Sequence, residues 1–142
     1  MRIWIIITLA LSFFSATAPT QETSDVHQQT IAPANARYEI IQSELAAKWT
    51  FRLDRFSGHV AQLVQTKDGE MTWEDTPVRG LPQITSPSRA RFQIFTSGLA
   101  AIHTYLIDTD TGRTWQLASG RVKNPDGTEN EDVVWQPFAA DN

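Results

Sequence analysis

The sequence predicts an all-β fold made of two copies of one short antiparallel unit. The first observation is an internal repeat, in which residues 36–64 align without a gap with residues 90–118 at an offset of 54 positions. The second is a period-2 alternation of apolar and polar residues, rich in aromatic and β-branched side chains, which is typical of half-buried strands. A repeat at a fixed period determines the architecture before any single residue does.

The N-terminus reads as an export signal. Arg2 precedes an apolar stretch over residues 3–14, and small residues follow at 15–18, which is the pattern of a signal peptide. The stretch is shorter than the roughly 20 residues that span a bilayer. We expect cleavage after Ala18 or after Thr20, with an uncleaved anchor as the alternative. Residues 19–35 are polar and are predicted to be a disordered leader.

Composition narrows the class of protein. The chain has 142 residues, no cysteine and a net charge of −4. Disulfides and thiolate metal sites are therefore excluded, and an exported domain without disulfides suits a bacterial periplasmic or secreted protein. The basic residues are scattered, so a nucleic-acid surface is not predicted, nor is a membrane span after signal cleavage.

The folded part divides into repeat 1 at 36–75, a Pro-rich linker at 76–89 and repeat 2 at 90–142. Each repeat is interpreted as a three-stranded antiparallel meander whose last strand carries a tryptophan, Trp73 or Trp135. Residues 43–49 fit either a helical turn or a connection between strands. We favour a connection, because an independent helix needs roughly 12–15 residues.

Both repeats share a D-x-x-[S/T]-G turn. Asp54 and Asp108 are predicted to accept hydrogen bonds from backbone N–H groups two and three residues on. Gly58 and Gly112 are predicted to supply the left-handed conformation that closes such a hairpin turn. These four residues are therefore assigned to the structure of the turns.

A single three-stranded sheet buries too little apolar surface to be stable alone. We therefore expect the two meanders to cover each other's aromatic faces in a small sandwich or barrel with pseudo-two-fold symmetry. The predicted core contains seven aromatic residues: Tyr38, Phe51, Trp73, Phe92, Tyr105, Trp115 and Trp135.

The segment from Tyr105 to Trp115 (YLIDTDTGRTW) resembles the hairpin core of quinoprotein-type β-propeller blades, with their "LD-x-x-TG-x-x-x-W" pattern. The interval from Gly112 to Trp115 is one residue shorter here, and repeat 1 has Ala61 in place of the tryptophan. The chain is also similar to small exported bacterial proteins of unassigned function with tandem "RFQ…YLLDT-x-TG-x-x-W" units. These resemblances imply an all-β fold and carry no cofactor with them.

No residue pattern predicts catalysis. Asp108 and Asp110 lack the further oxygen ligands of a calcium loop, and the acidic loop at 126–132 reads as solvated, with loose calcium binding as the alternative. The histidines are dispersed and no nucleophile elbow occurs. We therefore predict no metal, no cofactor and no enzymatic activity.

The predicted binding residues are Trp49 and its aligned partner His103. The two repeats carry different residues at this position, which lies near a loop. Trp49 either packs in the core or is exposed to stack on a sugar or a partner protein. The leading hypothesis is a non-catalytic exported module that binds an envelope protein or glycan. The alternative is a hydrolase or inhibitor-like protein acting on cell-wall material. Homo-oligomerisation through open sheet edges is a further hypothesis.

Overall fold

The computed structural model describes residues 32–43, 49–97, 103–123 and 126–139, which form eight β-strands and no helix. The first four strands are β1 (Tyr38–Gln42), β2 (Thr50–Asp54), β3 (Val60–Gln65) and β4 (Met71–Thr76). The second four are β5 (Phe92–Thr96), β6 (Thr104–Asp108), β7 (Thr114–Lys123) and β8 (Glu129–Pro137). The predicted all-β class is confirmed.

Each repeat forms its own four-stranded antiparallel sheet, with the strands in sequence order: β1–β4 in the first sheet and β5–β8 in the second. The prediction of three strands per repeat is wrong. Residues 60–65 and 71–76 are separate paired strands joined by a tight turn at Gly69, whose φ is +87°. Neither sheet closes on itself, so the barrel, which was predicted as the alternative to a sandwich, is wrong.

The strand register is the same in the two sheets up to the third strand. Tyr38 pairs with Asp54 and Phe51 with Gln62 in the first sheet, and the residues 54 positions later form the corresponding pairs in the second. The fourth strands correspond through their pairing, because Trp73 lies opposite Leu63 and Trp135 lies opposite Leu117. The longer β7–β8 hairpin accounts for the longer second repeat.

One hydrophobic cluster draws on both sheets. It contains Ile41, Phe51, Leu53, Val60, Phe92, Leu106, Trp115, Leu117 and Trp135. Four of the seven predicted core aromatics are fully buried: Phe51, Phe92, Trp115 and Trp135. The other three were predicted wrongly: Tyr38 is 55% exposed, and Trp73 and Tyr105 are only partly buried.

The reason is that the two sheets bury opposite faces. Residues directly opposite each other on paired strands project to the same side. We call face A the side that carries Phe51 in the first sheet and its equivalent Tyr105 in the second. Face B carries Arg52 in the first sheet and its equivalent Leu106 in the second. The first sheet buries face A, where Phe51 is 0% exposed, and the second buries face B, where Leu106 is 0% exposed.

A two-fold axis between the repeats would bury the same face of both sheets. The predicted pseudo-two-fold symmetry is therefore wrong for the way the sheets pack. The packing is front to back: face A of the first sheet meets face B of the second, as the edge-on contact between Phe51 and Trp135 shows, with ring centroids 5.6 Å apart.

The Pro-rich connector packs on the second sheet. Val78 forms a parallel bridge with Trp135, and the carbonyl of Arg79 accepts a hydrogen bond from the Trp115 indole N–H at 2.8 Å. Leu81 and Ile84 pack against the core. The connector therefore anchors both buried tryptophans.

Within the described ranges, no helix is long and apolar enough to cross a membrane. Three predictions fall outside the described residues: the signal peptide, the leader over residues 19–31, and residues 44–48 of the predicted connection between strands.

Candidate functional site

The first turn is organised by Asp54. Its carboxylate accepts hydrogen bonds from the Phe56 N–H at 3.0 Å and from the Arg37 guanidinium at 2.9 Å. Burial alone would raise the pKa of Asp54, but the bonds from Arg37 and the turn outweigh it and lower that pKa. Gly58 closes the turn with φ +81° and donates its N–H to the Asp54 carbonyl at 2.8 Å.

The second turn repeats this arrangement around a more buried carboxylate. Asp108 is 0% exposed and accepts two parallel bonds from Arg91, with Nε to Oδ1 at 2.6 Å. Its carboxylate also accepts bonds from the Asp110 N–H and the Thr111 hydroxyl. The bond from Arg91, followed by those from the turn, lowers the pKa of Asp108 to about 2. Gly112 closes the turn with φ +74°.

Backbone hydrogen bonds link the first turn to the start of β5. The Arg55 carbonyl, in the first turn, accepts the N–H groups of Arg91 and Phe92 at 2.8 and 2.9 Å. The Phe92 ring covers Gly58 so closely that a Cβ there would lie 2.8 Å from it. The turn residues therefore fix the position of the second sheet on the first. Both carboxylates are neutralised by arginine and engaged with backbone, which fits a structural role.

Face A of the second sheet carries four aromatic side chains, three of which contact the fourth, Tyr105, and which we call the aromatic surface: Phe95, His103, Tyr105 and Phe138. Tyr105 is at its centre, stacked on Phe95 with ring centroids 6.3 Å apart and edge-on to Phe138 at 5.7 Å. His103 Nδ1 lies 3.0 Å from the Tyr105 hydroxyl. Phe95 is 60% exposed and Phe138 51%. A preformed apolar area with a hydroxyl and an imidazole is suited to binding another surface.

The sequence signal for Phe95 is an interruption of the period-2 pattern. Phe92 is buried and Ile94 is partly buried on the same face of β5, so an aromatic residue at 95 is out of phase with the core. We did not predict Phe95 or Phe138 as site residues. His103, which was predicted as a binding residue, does belong to the aromatic surface.

Trp49, the other predicted binding residue, lies elsewhere. It precedes β2 in the first sheet, is partly buried against the core and stacks on Phe51 with ring centroids 6.3 Å apart. Trp49 and His103 are thus equivalent in the chain but differ in their surroundings, because Trp49 packs on the core and His103 contacts Tyr105 on the outward face.

The outward side of the first sheet is face B, and it is also apolar. Ile40 is 61% exposed and Met71 is 59% exposed. Trp73 lies on the same face under the Arg52 guanidinium, which is 5.1 Å from the ring centroid. The exposed apolar side chains of this face, including Tyr38, lie on the edge strands β1 and β4, with Arg52 of β2 between them.

Two depressions adjoin His59. The smaller, of about 220 Å³, lies at Ala61 and is lined by Tyr38, Arg52 and Asp75. In the second sheet, Trp115 occupies the position equivalent to Ala61. The larger, of about 520 Å³, lies between the first turn and the connector and is lined by Leu81 and Gln83 among others.

Ser57 and His59 both line the larger hollow, and among the described residues no hydrogen bond joins the Ser57 hydroxyl to the His59 ring. No group of three or more metal-ligating side chains occurs among the residues that the structure describes. In the acidic loop, Asp126 accepts bonds from the hydroxyl and N–H of Thr128, and these bonds lower its pKa. The described part of that loop is thus an ordinary capped turn.

The chain matches no protein-family model, and no curated protein or solved structure is significantly similar to it.

Proposed function

We propose that this protein is a non-catalytic, exported module of the bacterial cell envelope that works by binding a protein through the aromatic surface of its second sheet. The single observation that carries the proposal is that the rings of Phe95 and Phe138 both contact Tyr105 on an outward face of the molecule. Large apolar side chains gathered on one face mark interaction sites, whereas singly scattered ones do not.

The chemistry of the surface favours a protein over a glycan. Aromatic residues are the commonest anchors of protein interfaces, and the two most exposed members of this surface, Phe95 and Phe138, carry no hydrogen-bonding side-chain group. Sugar recognition generally requires several polar groups around a stacking ring. Export is supported by the N-terminal sequence pattern alone. A cell-wall hydrolase, the alternative predicted from the sequence, has no favourable observation among the described residues.

The test is site-specific photo-crosslinking in a bacterial host. A photoreactive residue in place of Phe95 should give a discrete adduct in the envelope fraction. The same residue in place of Lys67, at the exposed β3–β4 turn, is the matched control and should give none. Equal adducts from both positions, or none from Phe95, would contradict the proposal. An adduct that contains no second protein and that is lost when a soluble glycan is added would indicate that the ligand is a sugar instead.

A further inference from the structure

We infer that the partner of the aromatic surface is a second copy of this chain, which docks head to tail with its first sheet against the second sheet of its neighbour. This inference rests on the proposed function and names the partner of the same surface. It follows from the front-to-back packing of the two sheets, since each outward face is the sequence equivalent of a face that the other sheet already buries.

The buried contact joins face A of the first sheet to face B of the second. The outward surfaces are face A of the second sheet and face B of the first. A second copy therefore brings together the same two kinds of face that already pack inside the chain. The five large hydrophobic side chains that are exposed in the described chain lie on these outward faces: Tyr38, Ile40 and Met71 on one, Phe95 and Phe138 on the other.

Individual contacts have counterparts. Inside the chain, Phe51 of face A meets Trp135 of face B. Tyr105 is the equivalent of Phe51, and Trp73 is the equivalent of Trp135 by its pairing opposite leucine. Docking of a second copy would place Tyr105 of one copy on Trp73 of the next, so that two partly exposed aromatic side chains become buried.

The turn glycines provide an independent observation. Gly58 is covered by Phe92, so closely that a Cβ would clash with its ring, whereas a Cβ at Gly112 would meet no atom within 4 Å. The equivalent of Phe92 is Tyr38, an exposed aromatic on the outward face of the first sheet. The docked second copy would set Tyr38 over Gly112 as Phe92 lies over Gly58.

The backbone link from the first turn to the start of β5 extends in the same way. The Arg55 carbonyl accepts the N–H groups of Arg91 and Phe92, and the Arg91 carbonyl in turn accepts the N–H of Thr109 at 2.9 Å. Thr109 is the equivalent of Arg55. The interface is thus a continuation of a contact that the chain already makes, with the turn of one copy meeting the start of β1 of the next.

Such a contact is heterologous, so it generates either a closed ring or an open stack. Four-stranded sheets arranged radially close with about four to eight members. With two sheets per chain, a ring would contain two to four copies.

The first measurement is sedimentation of the full-length secreted protein over a wide concentration range. A finite assembly of two to four copies supports a ring, and a concentration-dependent series supports a stack with the same contact. Tyr105→Ser should weaken either assembly by about tenfold or more in dissociation constant, as loss of a central aromatic anchor does. A wild-type monomer at every concentration overturns the inference.

The second measurement identifies the faces. The chain has no cysteine, so single variants Tyr105→Cys and Trp73→Cys are clean probes. Facing sheets lie about 10 Å apart, too far for a disulfide, so a short bismaleimide is the linker. Covalent dimers should form in the mixture of the two variants and not with either alone. In the matched control, Lys67→Cys takes the place of Trp73→Cys in the mixture with Tyr105→Cys, and no covalent dimers should form.

Dimers of Tyr105→Cys alone would indicate a two-fold contact between identical faces and overturn the head-to-tail arrangement. Failure of the inference and failure of the proposed function are distinguishable. In the cellular crosslinking described above, an adduct between Phe95 and a different protein retains the proposed function and overturns this inference, whereas an adduct of twice the mass of the chain supports both.

Discussion

Phe51 and Tyr105 lie 54 residues apart at equivalent positions of paired strands, yet Phe51 lies between the two sheets and Tyr105 lies on an outward face. Phe51 is wholly buried and contacts Trp135 of the other sheet, while Tyr105 is in the centre of an outward aromatic surface. The pairing of the surrounding strands is the same in both sheets. The difference therefore arises from which face each sheet buries, and several consequences are measurable.

The two aromatic residues should differ in their contribution to folding. Phe51→Ala is expected to lower the free energy of unfolding by about 3–5 kcal/mol, the usual range for a buried phenylalanine. Tyr105→Ala should change it by about 1 kcal/mol or less at protein concentrations too low for association. Urea denaturation followed by tryptophan fluorescence compares them. Similar losses from both variants would contradict opposite burial.

The two turn aspartates should also differ. Asp108→Asn removes the charge and one of the two acceptor oxygens of a two-pronged arginine bond at a fully buried site, and we expect a loss of about 2 kcal/mol or more. Asp54→Asn should lose less, because its partner Arg37 is half exposed. The same denaturation experiment measures both. Retained strand content by circular dichroism is the control for folding. A larger loss from Asp54→Asn would show that burial does not set the strength of these turns.

The lowered pKa of Asp108 predicts that the free energy of unfolding depends on pH. Its folded pKa of about 2 lies below the ordinary value of 3.8, so the unfolded chain binds a proton more readily. The stabilisation, about 2 kcal/mol, is therefore present above pH 4 and is lost as the pH falls through the range between 4 and 2. Denaturation of wild type and Asp108→Asn at pH 6, 4 and 2 tests this. The difference between them should shrink with acid, and a constant difference would be inconsistent with it.

Alanine substitutions at the two turn glycines should distinguish the cost of backbone strain from the cost of a steric clash. Both have positive φ, so alanine at either costs about 1–2 kcal/mol for the left-handed conformation. Gly58→Ala should cost clearly more, because its methyl group would also lie 2.8 Å from Leu81 and the Phe92 ring. In the dilute protomer Gly112→Ala should show the backbone cost alone. Thermal unfolding of both variants at low concentration measures the difference, and equal costs would argue against close covering of the first turn.

Trp49 and Phe95 should show opposite phenotypes. Trp49 packs on the core and on Phe51, so Trp49→Ala should lower stability by about 1–3 kcal/mol while leaving the outward aromatic surface intact. Phe95→Ala should leave stability within about 0.5 kcal/mol and weaken binding. Denaturation together with sedimentation gives both values. Loss of binding without loss of stability in Trp49→Ala would restore Trp49 as a binding residue.

Much of the fold was predictable because it is local in sequence. The repeat, the alternation and the D-x-x-[S/T]-G turns indicate paired strands, and a turn requires only residues close along the chain. The count of strands was wrong because it covered only the three strands on either side of the turns at Gly58 and Gly69, and the strand that precedes them, β1, was left out.

The packing of the sheets was not predictable in the same way. Both sides of each sheet carry large apolar residues, such as Tyr38 and Phe51 in the first sheet, so alternation does not indicate which side is buried. The core aromatics on the buried faces were predicted correctly and those on the outward faces were not. Phe138 belongs to the candidate site only through its contact with Tyr105, a tertiary relationship that no local pattern contains.

Because the two repeats bury opposite faces of their sheets, selection will restrict substitution unequally at equivalent positions in related chains. If the outward sides serve no purpose, position 51 will stay apolar while position 105 drifts toward polar residues, and position 135 will stay aromatic while position 73 varies. If the outward sides are in use, both members of each pair will be restricted. Divergent copies of the gene thus hold a record of whether the second side of each sheet is under selection.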